Sequence, residues 1–191
     1  MSKIIIAISL VLAMITSSGA EAKSLVAVFS KAGENYSVGV IEEGNTMVLA
    51  KMIAEKTGSD LFEIRTAKEY PFEYTPTTDI AKKELRENYR PELLEDKNID
   101  EYDVIFLGYP IWWGDLPMAC YTFLEAHDFS GKKIIPFCTH EGSGMSGTDG
   151  KIKRKVKAEV LKGLSMRGST AQNSRKSAEN QIDSWLKGLG F

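Results

Sequence analysis

Three short stretches of this chain gather residue types able to hold a charged, planar ligand. The first is Ser30 together with the tripeptide Gly44-Asn45-Thr46. A helix start leaves backbone N–H groups unpaired and carries partial positive charge, so hydroxyl and amide side chains beside it can complete a phosphate cradle. The same residues would serve an ordinary helix cap, and the tripeptide alone does not separate the two readings. The second stretch is Tyr109-Pro110-Ile111-Trp112-Trp113-Gly114, closed by Asp115-Leu116-Pro117. Neighbouring side chains cannot both enter one core, so at least one tryptophan is expected at a surface or cleft. There its flat face can stack an aromatic ring system. In the competing reading both rings simply cover helix ends. The third stretch is Thr139-His140-Glu141-Gly142-Ser143-Gly144, running on through Gly147. Its glycines let the backbone approach a ligand edge closely.

Other chemistries fail on spacing. Gly142, Gly144 and Gly147 match G-x-G-x-x-G formally, but they follow the fourth predicted strand and no acidic residue ends the next one, so this is no dinucleotide fingerprint. Ser143 lacks the flanking glycines of a nucleophile elbow, and Gly150-Lys151 is followed by Ile152 where a P-loop needs a hydroxyl. His127 and His140 are the only histidines and have no paired-ligand spacing, so no metal is expected. His140 is a candidate proton donor by its place in the third loop, although a lone loop histidine more often only hydrogen-bonds.

The elements that must position these loops alternate. Ser24 to Phe29 is an apolar strand ending at Ser30, and Thr46 to Thr57 reads as a helix stopped by Gly58. Leu61 to Ile64 is a second strand, and Ala81, Leu85 and Tyr89 share a helical face that Pro91 ends. Val104 to Gly108 is an unbroken apolar run, as in a central strand covered on both faces. Pro117 opens a helix to about Ala126, Lys133 to Phe137 is the fourth strand, Lys151 to Lys162 is helical, and Leu164 to Met166 is a short fifth strand. Ala178, Ile182, Trp185, Leu186 and Leu189 stripe a last amphipathic helix. Such alternation predicts a doubly wound α/β sheet, whose ligands lie outside the carboxyl ends of the strands.

At 191 residues, 43% hydrophobic and 26% charged, the chain has a globular composition. Lys3, the nearly unbroken apolar run Ile4 to Ile15, and Ala20-Glu21-Ala22 read as an export signal over residues 1–22, too short in its apolar part to span a bilayer. Residues 23–191 are then one domain, periplasmic or secreted, with no membrane insertion once the signal is removed. Lys3 and Glu21 cancel, so the mature chain keeps the net charge of −2, which argues against nucleic-acid binding. Cys120 and Cys138 are the only cysteines and could either pair or pack as small apolar side chains.

In this order, the three loops resemble those of the flavodoxin-like family, specifically its members with a long insertion before the Gly-Asn-Thr. The resemblance spans nearly the whole mature chain. It implies a three-layer, five-stranded parallel sheet of order 2-1-3-4-5 and FMN as cofactor. It maps the FMN phosphate onto Ser30 and Gly44-Asn45-Thr46. One side of the isoalloxazine falls to Tyr109, Pro110, Ile111, Trp112, Trp113 and Gly114, and the other side and the pyrimidine edge to Thr139, His140, Glu141, Gly142 and Gly144. Stacking on Trp112 would disfavour a reduced anionic ring, and N–H groups near Gly142 to Gly144 would favour it. Thr77, in the turn Tyr74-Thr75-Pro76-Thr77, is a further candidate contact. Residues Lys31 to Glu43 replace a loop of about three residues. The roles of Lys31, Glu34, Asn35 and Tyr36 therefore do not transfer, and a lid is one reading of them. The implied function is electron transfer through bound FMN to a redox partner protein or a small aromatic acceptor. The alternatives are an FMN-dependent NAD(P)H:quinone-type reductase and a flavin-free binding module. The surface is less acidic than that of typical electron-shuttling flavodoxins, which weakens the case for a basic partner docked by charge.

Overall fold

The computed structural model describes residues 22–191. The expected export signal lies outside the described residues save for its last position. Strand β1 (Ser24–Val28) leads to a hairpin of β2 (Gly33–Asn35) and β3 (Gly39–Ile41), then α1 (Asn45–Thr57), β4 (Asp60–Glu63) and α2 (Tyr74–Glu87). Next come β5 (Val104–Pro110), α3 (Met118–Ala126), β6 (Lys133–His140) and α4 (Thr148–Lys155). The chain finishes with β7 (Glu159–Val160), β8 (Leu164–Arg167), α5 (Gly168–Asn173) and α6 (Arg175–Leu189).

The main sheet runs β4-β1-β5-β6-β7, with β8 also on β6, and every pairing in it is parallel. Counting only sheet positions, this is the expected order 2-1-3-4-5. Alternation along the strands splits the core. Leu25, Ala27, Ile105, Leu107 and Ile134 pack with Ala119, Cys120, Phe123 and Leu124 of α3 and Ile152 of α4. Val26, Val28, Phe106, Ile135 and Phe137 pack with α1, α5 and α6 on the opposite face. Burial on both faces explains why β5 reads as one unbroken apolar run. Cys120 and Cys138 are both buried and free, and burial pushes the Cys138 thiol up to about 12.

Four elements differ from the sequence reading by more than one residue. Helix α2 begins at Tyr74, ahead of the apolar face, because Pro76 sits in the first turn, where its missing N–H costs nothing. Strands β5 and β6 run on through Pro110 and His140, so Tyr109 and Thr139 belong to strands rather than loops. Helix α4 is Thr148–Lys155, and the segment after it joins the sheet as β7. The fifth sheet position is therefore broken in two. Val160 pairs with Ile134 and Leu164 with Phe137, so three residues face two across Pro136, which has no amide hydrogen for the ladder.

Among the described residues, no helix is long and apolar enough to cross a membrane.

Candidate functional site

Parallel pairing puts the carboxyl ends of β1, β5 and β6 at one edge of the sheet, and a cleft opens there. The start of α1 forms one end of it. Gly44 precedes the helix at a point where a side chain has no room, since an added Cβ would overlap Ser30 Oγ and lie 2.7 Å from the Lys31 carbonyl oxygen. Ser30 Oγ accepts the Met47 amide at 3.0 Å, a cap supplied from the end of β1. The Asn45 and Thr46 amides, like all in a first turn, have no intrahelical acceptor. The Thr46 and Thr139 hydroxyls are 2.7 Å apart and buried, joining this helix to the end of β6. Asn45 lines the cleft, and its Oδ1 is buried without a hydrogen-bond partner.

Beyond β5 the chain makes a tight turn. The Trp112 amide donates to the Asp115 carbonyl at 2.9 Å and the Asp115 amide to the Trp112 carbonyl at 3.0 Å. The central φ values are +52° at Trp113 and +75° at Gly114. Glycine accepts that geometry freely, whereas tryptophan does so under strain. Trp113 is held there by its Nε1–H, which donates to the Thr78 carbonyl at 2.9 Å, and by Lys82 Nζ 4.7 Å above its ring. Asp115, given no role by the sequence reading, anchors the turn. Its Oδ1 accepts from the Leu116 amide at 2.8 Å and the Tyr121 hydroxyl at 2.9 Å, and its Oδ2 lies 2.7 Å from Lys151 Nζ.

The two tryptophans divide as neighbouring side chains must. Trp112 is half-buried, edge-on to Phe29 at 5.2 Å and to Tyr70 at 5.1 Å, while Trp113 is 52% exposed. Both line the cleft, as do Pro110 and Ile111. Tyr109 does not. The strand alternation turns its ring to the other side, where it is fully buried with its hydroxyl 2.8 Å from Thr148 Oγ1.

At the end of β6, Thr139, His140 and Glu141 line the cleft. His140 Nδ1 accepts the Gly142 amide at 2.9 Å, so the neutral ring carries its proton on Nε2. Burial, with the Arg167 charge second, holds the His140 pKa below the usual histidine range. The Gly142 N–H, expected to face a ligand, is thus engaged by its own loop. Glu141 accepts the Ser169 amide at 2.7 Å and the Ser169 hydroxyl at 3.2 Å, which spends its carboxylate on the start of α5. Of the expected contacts, Ser30, Gly44, Thr46, Gly114, Gly142 and Gly144 sit behind or beside the lining rather than in it. Thr77 lines the cleft, but its hydroxyl donates to the Pro71 and Glu73 carbonyls, both at 2.9 Å.

The inserted segment supplies a wall. Lys31 Nζ donates to the carbonyls of Ala32 and Phe72 at 3.0 Å and of Glu34 at 3.3 Å, and burial lowers its pKa. Glu34 gives its amide to the Phe72 carbonyl at 2.9 Å and accepts the Tyr74 amide on Oε2 at 2.8 Å, which caps α2. Lys31, Glu34, Asn35 and Tyr36 therefore face the cleft from a hairpin fastened to the start of α2. Tyr74, Thr78 and Ala81 complete that side, and the sequence reading missed them because it took Tyr74 to Thr77 as a turn.

The flavodoxin family model matches residues 23–187. Among solved structures, a candidate flavoprotein of Bacteroides eggerthii is 27% identical, superposing with a TM-score of 0.70 over 90% of this chain and 99% of its own. A second one, from Bacteroides uniformis, is also 27% identical, with a TM-score of 0.64 over 85% and 98% of the two chains. A Lactobacillus acidophilus flavoprotein in complex with FMN is 19% identical, with a TM-score of 0.62 over 87% and 99%, a likeness of fold. No curated protein matches the chain. With a family model covering nearly all of the described residues, the chain belongs to the flavodoxin family.

Proposed function

We propose that this chain binds FMN in the cleft and passes electrons through it, and that it does so after export to the periplasm or beyond. The observation that carries the reading is the cleft itself. A helix start with free first-turn amides closes one end, and tryptophan and histidine side chains line the rest. The residues fit the group. First-turn amides with Ser30 and the Thr46 backbone suit a phosphate, which also gains from the positive end of the α1 dipole. Asn45 Oδ1, a buried acceptor without a donor, suits a hydroxyl of the ribityl chain. Trp112 and Trp113 offer aromatic surface for a ring system.

Bound FMN supplies electron transfer in one- or two-electron steps. The chain's part is to hold and tune. Trp112, fixed edge-on by Phe29 and Tyr70, cannot swing away from the cleft without losing both contacts. His140 presents Nε2–H as a neutral hydrogen-bond donor, because the Gly142 amide fixes its tautomer. A neutral donor stabilises added negative charge less than an imidazolium would, so it tunes the potential without clamping it. Thr139 and Thr46 tie the helix start to the end of β6, keeping the phosphate and ring ends of the cleft in register.

Three measurements test the reading. In the first, FMN-loaded protein is reduced anaerobically and mixed with an oxidised protein carrier or with a small quinone. Stoichiometric electron delivery supports the function, and reduced protein that gives electrons to neither contradicts it. In the second, NAD(P)H oxidation with a quinone tests the reductase alternative. In the third, cell fractionation tests export, with processed chain beginning at Lys23 outside the inner membrane expected. Unprocessed chain in the cytoplasm would overturn that part.

A further inference from the structure

Between Thr148 and Lys162 the chain carries Lys151, Lys153, Arg154, Lys155, Lys157 and Lys162 against Asp149 and Glu159 alone, although its net charge as a whole is −2. None of these side chains lines the cleft. Folding uses only some of them. Lys151 pairs with Asp115 at 2.7 Å and donates to the Gly114 carbonyl at 3.3 Å. Lys155 shares the Glu125 carboxylate with Arg90, two cations on one anion, which leaves positive charge in excess. Lys153, Arg154 and Lys157 are exposed and form no ion pair among the described residues. A cation in the last turn suits the helix dipole, but that effect fades within one turn, and Lys157 lies past the end of α4. Lys151 and Lys155, four apart on one helix, also repel each other.

The place of this basic face gives it a use. Helix α4 starts at the sheet edge that carries the cleft, where the Thr148 hydroxyl lies 2.8 Å from that of Tyr109 in β5 and Lys151 reaches the turn that bears Trp113. The helix has eight residues and is about 12 Å long. A protein footprint of about 800 Å² is a disc about 16 Å in radius, so one partner seated on α4 also reaches the mouth of the cleft. Positive charge on that flank steers an acidic partner toward the mouth and turns a basic one away. None of the large hydrophobic side chains exposed among the described residues lies between Thr148 and Lys162, so the face lacks the apolar anchor with which a basic helix enters a lipid surface.

We propose that α4 and the residues just past it, with Lys153, Arg154 and Lys157 outermost, form the docking face for an acidic electron-carrier protein. The face rests on the electron-transfer reading and names the class of partner. The step it serves is the passage of one electron: the reduced holoprotein is oxidised, the carrier is reduced, and no bond forms or breaks.

The test follows electron delivery from reduced, FMN-loaded protein by stopped flow, with an acidic plastocyanin and a basic cytochrome c as oxidised carriers, at about 20 mM and about 300 mM NaCl. The double variant Lys153→Glu/Arg154→Glu is compared with Lys176→Glu/Lys187→Glu, an equal charge change on α6 across the sheet. FMN affinity is measured for each and should stay within about twofold of wild type. The wild-type rate with plastocyanin should fall about tenfold or more as salt rises, and the rate with cytochrome c should not fall. At low salt the α4 variant should lose about tenfold with plastocyanin and most of its salt dependence, whereas the α6 variant should lose less than about threefold. Equal losses in the two variants would make net charge the cause and overturn the face, as would a plastocyanin rate that ignores salt. Wild-type protein that sediments with vesicles of anionic phospholipid at about 150 mM salt, yet prefers cytochrome c to plastocyanin, would give the face to a membrane and overturn the proposal. Delivery to neither carrier at either salt would instead defeat the electron-transfer reading, and the docking face with it.

Discussion

The hydroxyls of Thr46 and Thr139 lie 2.7 Å apart, out of contact with solvent, and join the first turn of α1 to the last residues of β6. Each is the other's polar partner. Replacing one by valine strands the remaining hydroxyl, at a cost of about 1–3 kcal/mol, whereas replacing both removes the demand altogether. Thr46→Val and Thr139→Val are each expected to lower the urea midpoint, and the double variant to recover most of the loss. A double-mutant cycle without coupling would contradict the pairing.

Gly44 has no room for a side chain against Ser30 and Lys31. Gly44→Ala must push Ser30 Oγ off the Met47 amide, and overpacking of this kind costs about 1–3 kcal/mol. The same displacement opens the end of the cleft assigned to phosphate. Thermal unfolding should fall, and FMN should bind at least about tenfold more weakly. Unchanged FMN affinity in a destabilised variant would move the phosphate elsewhere.

His140 gives a dependence of stability on pH. Its folded-state pKa is lowered by burial and by Arg167, so the unfolded state, near 6.5, takes up the proton first. Its contribution to stability is complete above about pH 6.5 and is lost as pH falls below that value. The His140 resonance should titrate below the unfolded midpoint in NMR. In His140→Gln, which keeps an acceptor for the Gly142 amide, urea stability should fall less between pH 7.5 and pH 5.5 than in the wild type. An identical slope in both proteins would remove His140 from the account.

Long-range order was readable where a single physical demand governs a segment. Val104 to Gly108 had to be buried on both faces, Gly58 had to end α1 in the left-handed region, and Ala178 to Leu189 had to bury one stripe. The three loops were readable because parallel strands deliver them to one edge. What escaped depends on bonds between distant segments. The hairpin has strands of three residues without alternating polarity, and it holds its place through Lys31, Glu34 and Phe72, bonds that local sequence does not display. The start of α2 was hidden by Pro76, which punctuates a turn and the first turn of a helix equally well. Tyr109 was misplaced because a proline after it suggested a loop, whereas β5 carries two further residues and turns the ring inward. Which tryptophan would be exposed was likewise a matter of the turn at Trp113 and Gly114, fixed by Asp115 from the far side.

The most direct test is the absorption spectrum of the purified protein, with mass analysis of whatever small molecule is released on denaturation. The account predicts flavin absorption bands in the visible and one FMN per chain, or their appearance when the colourless protein is mixed with FMN. A well-folded protein that stays colourless in excess FMN would contradict it.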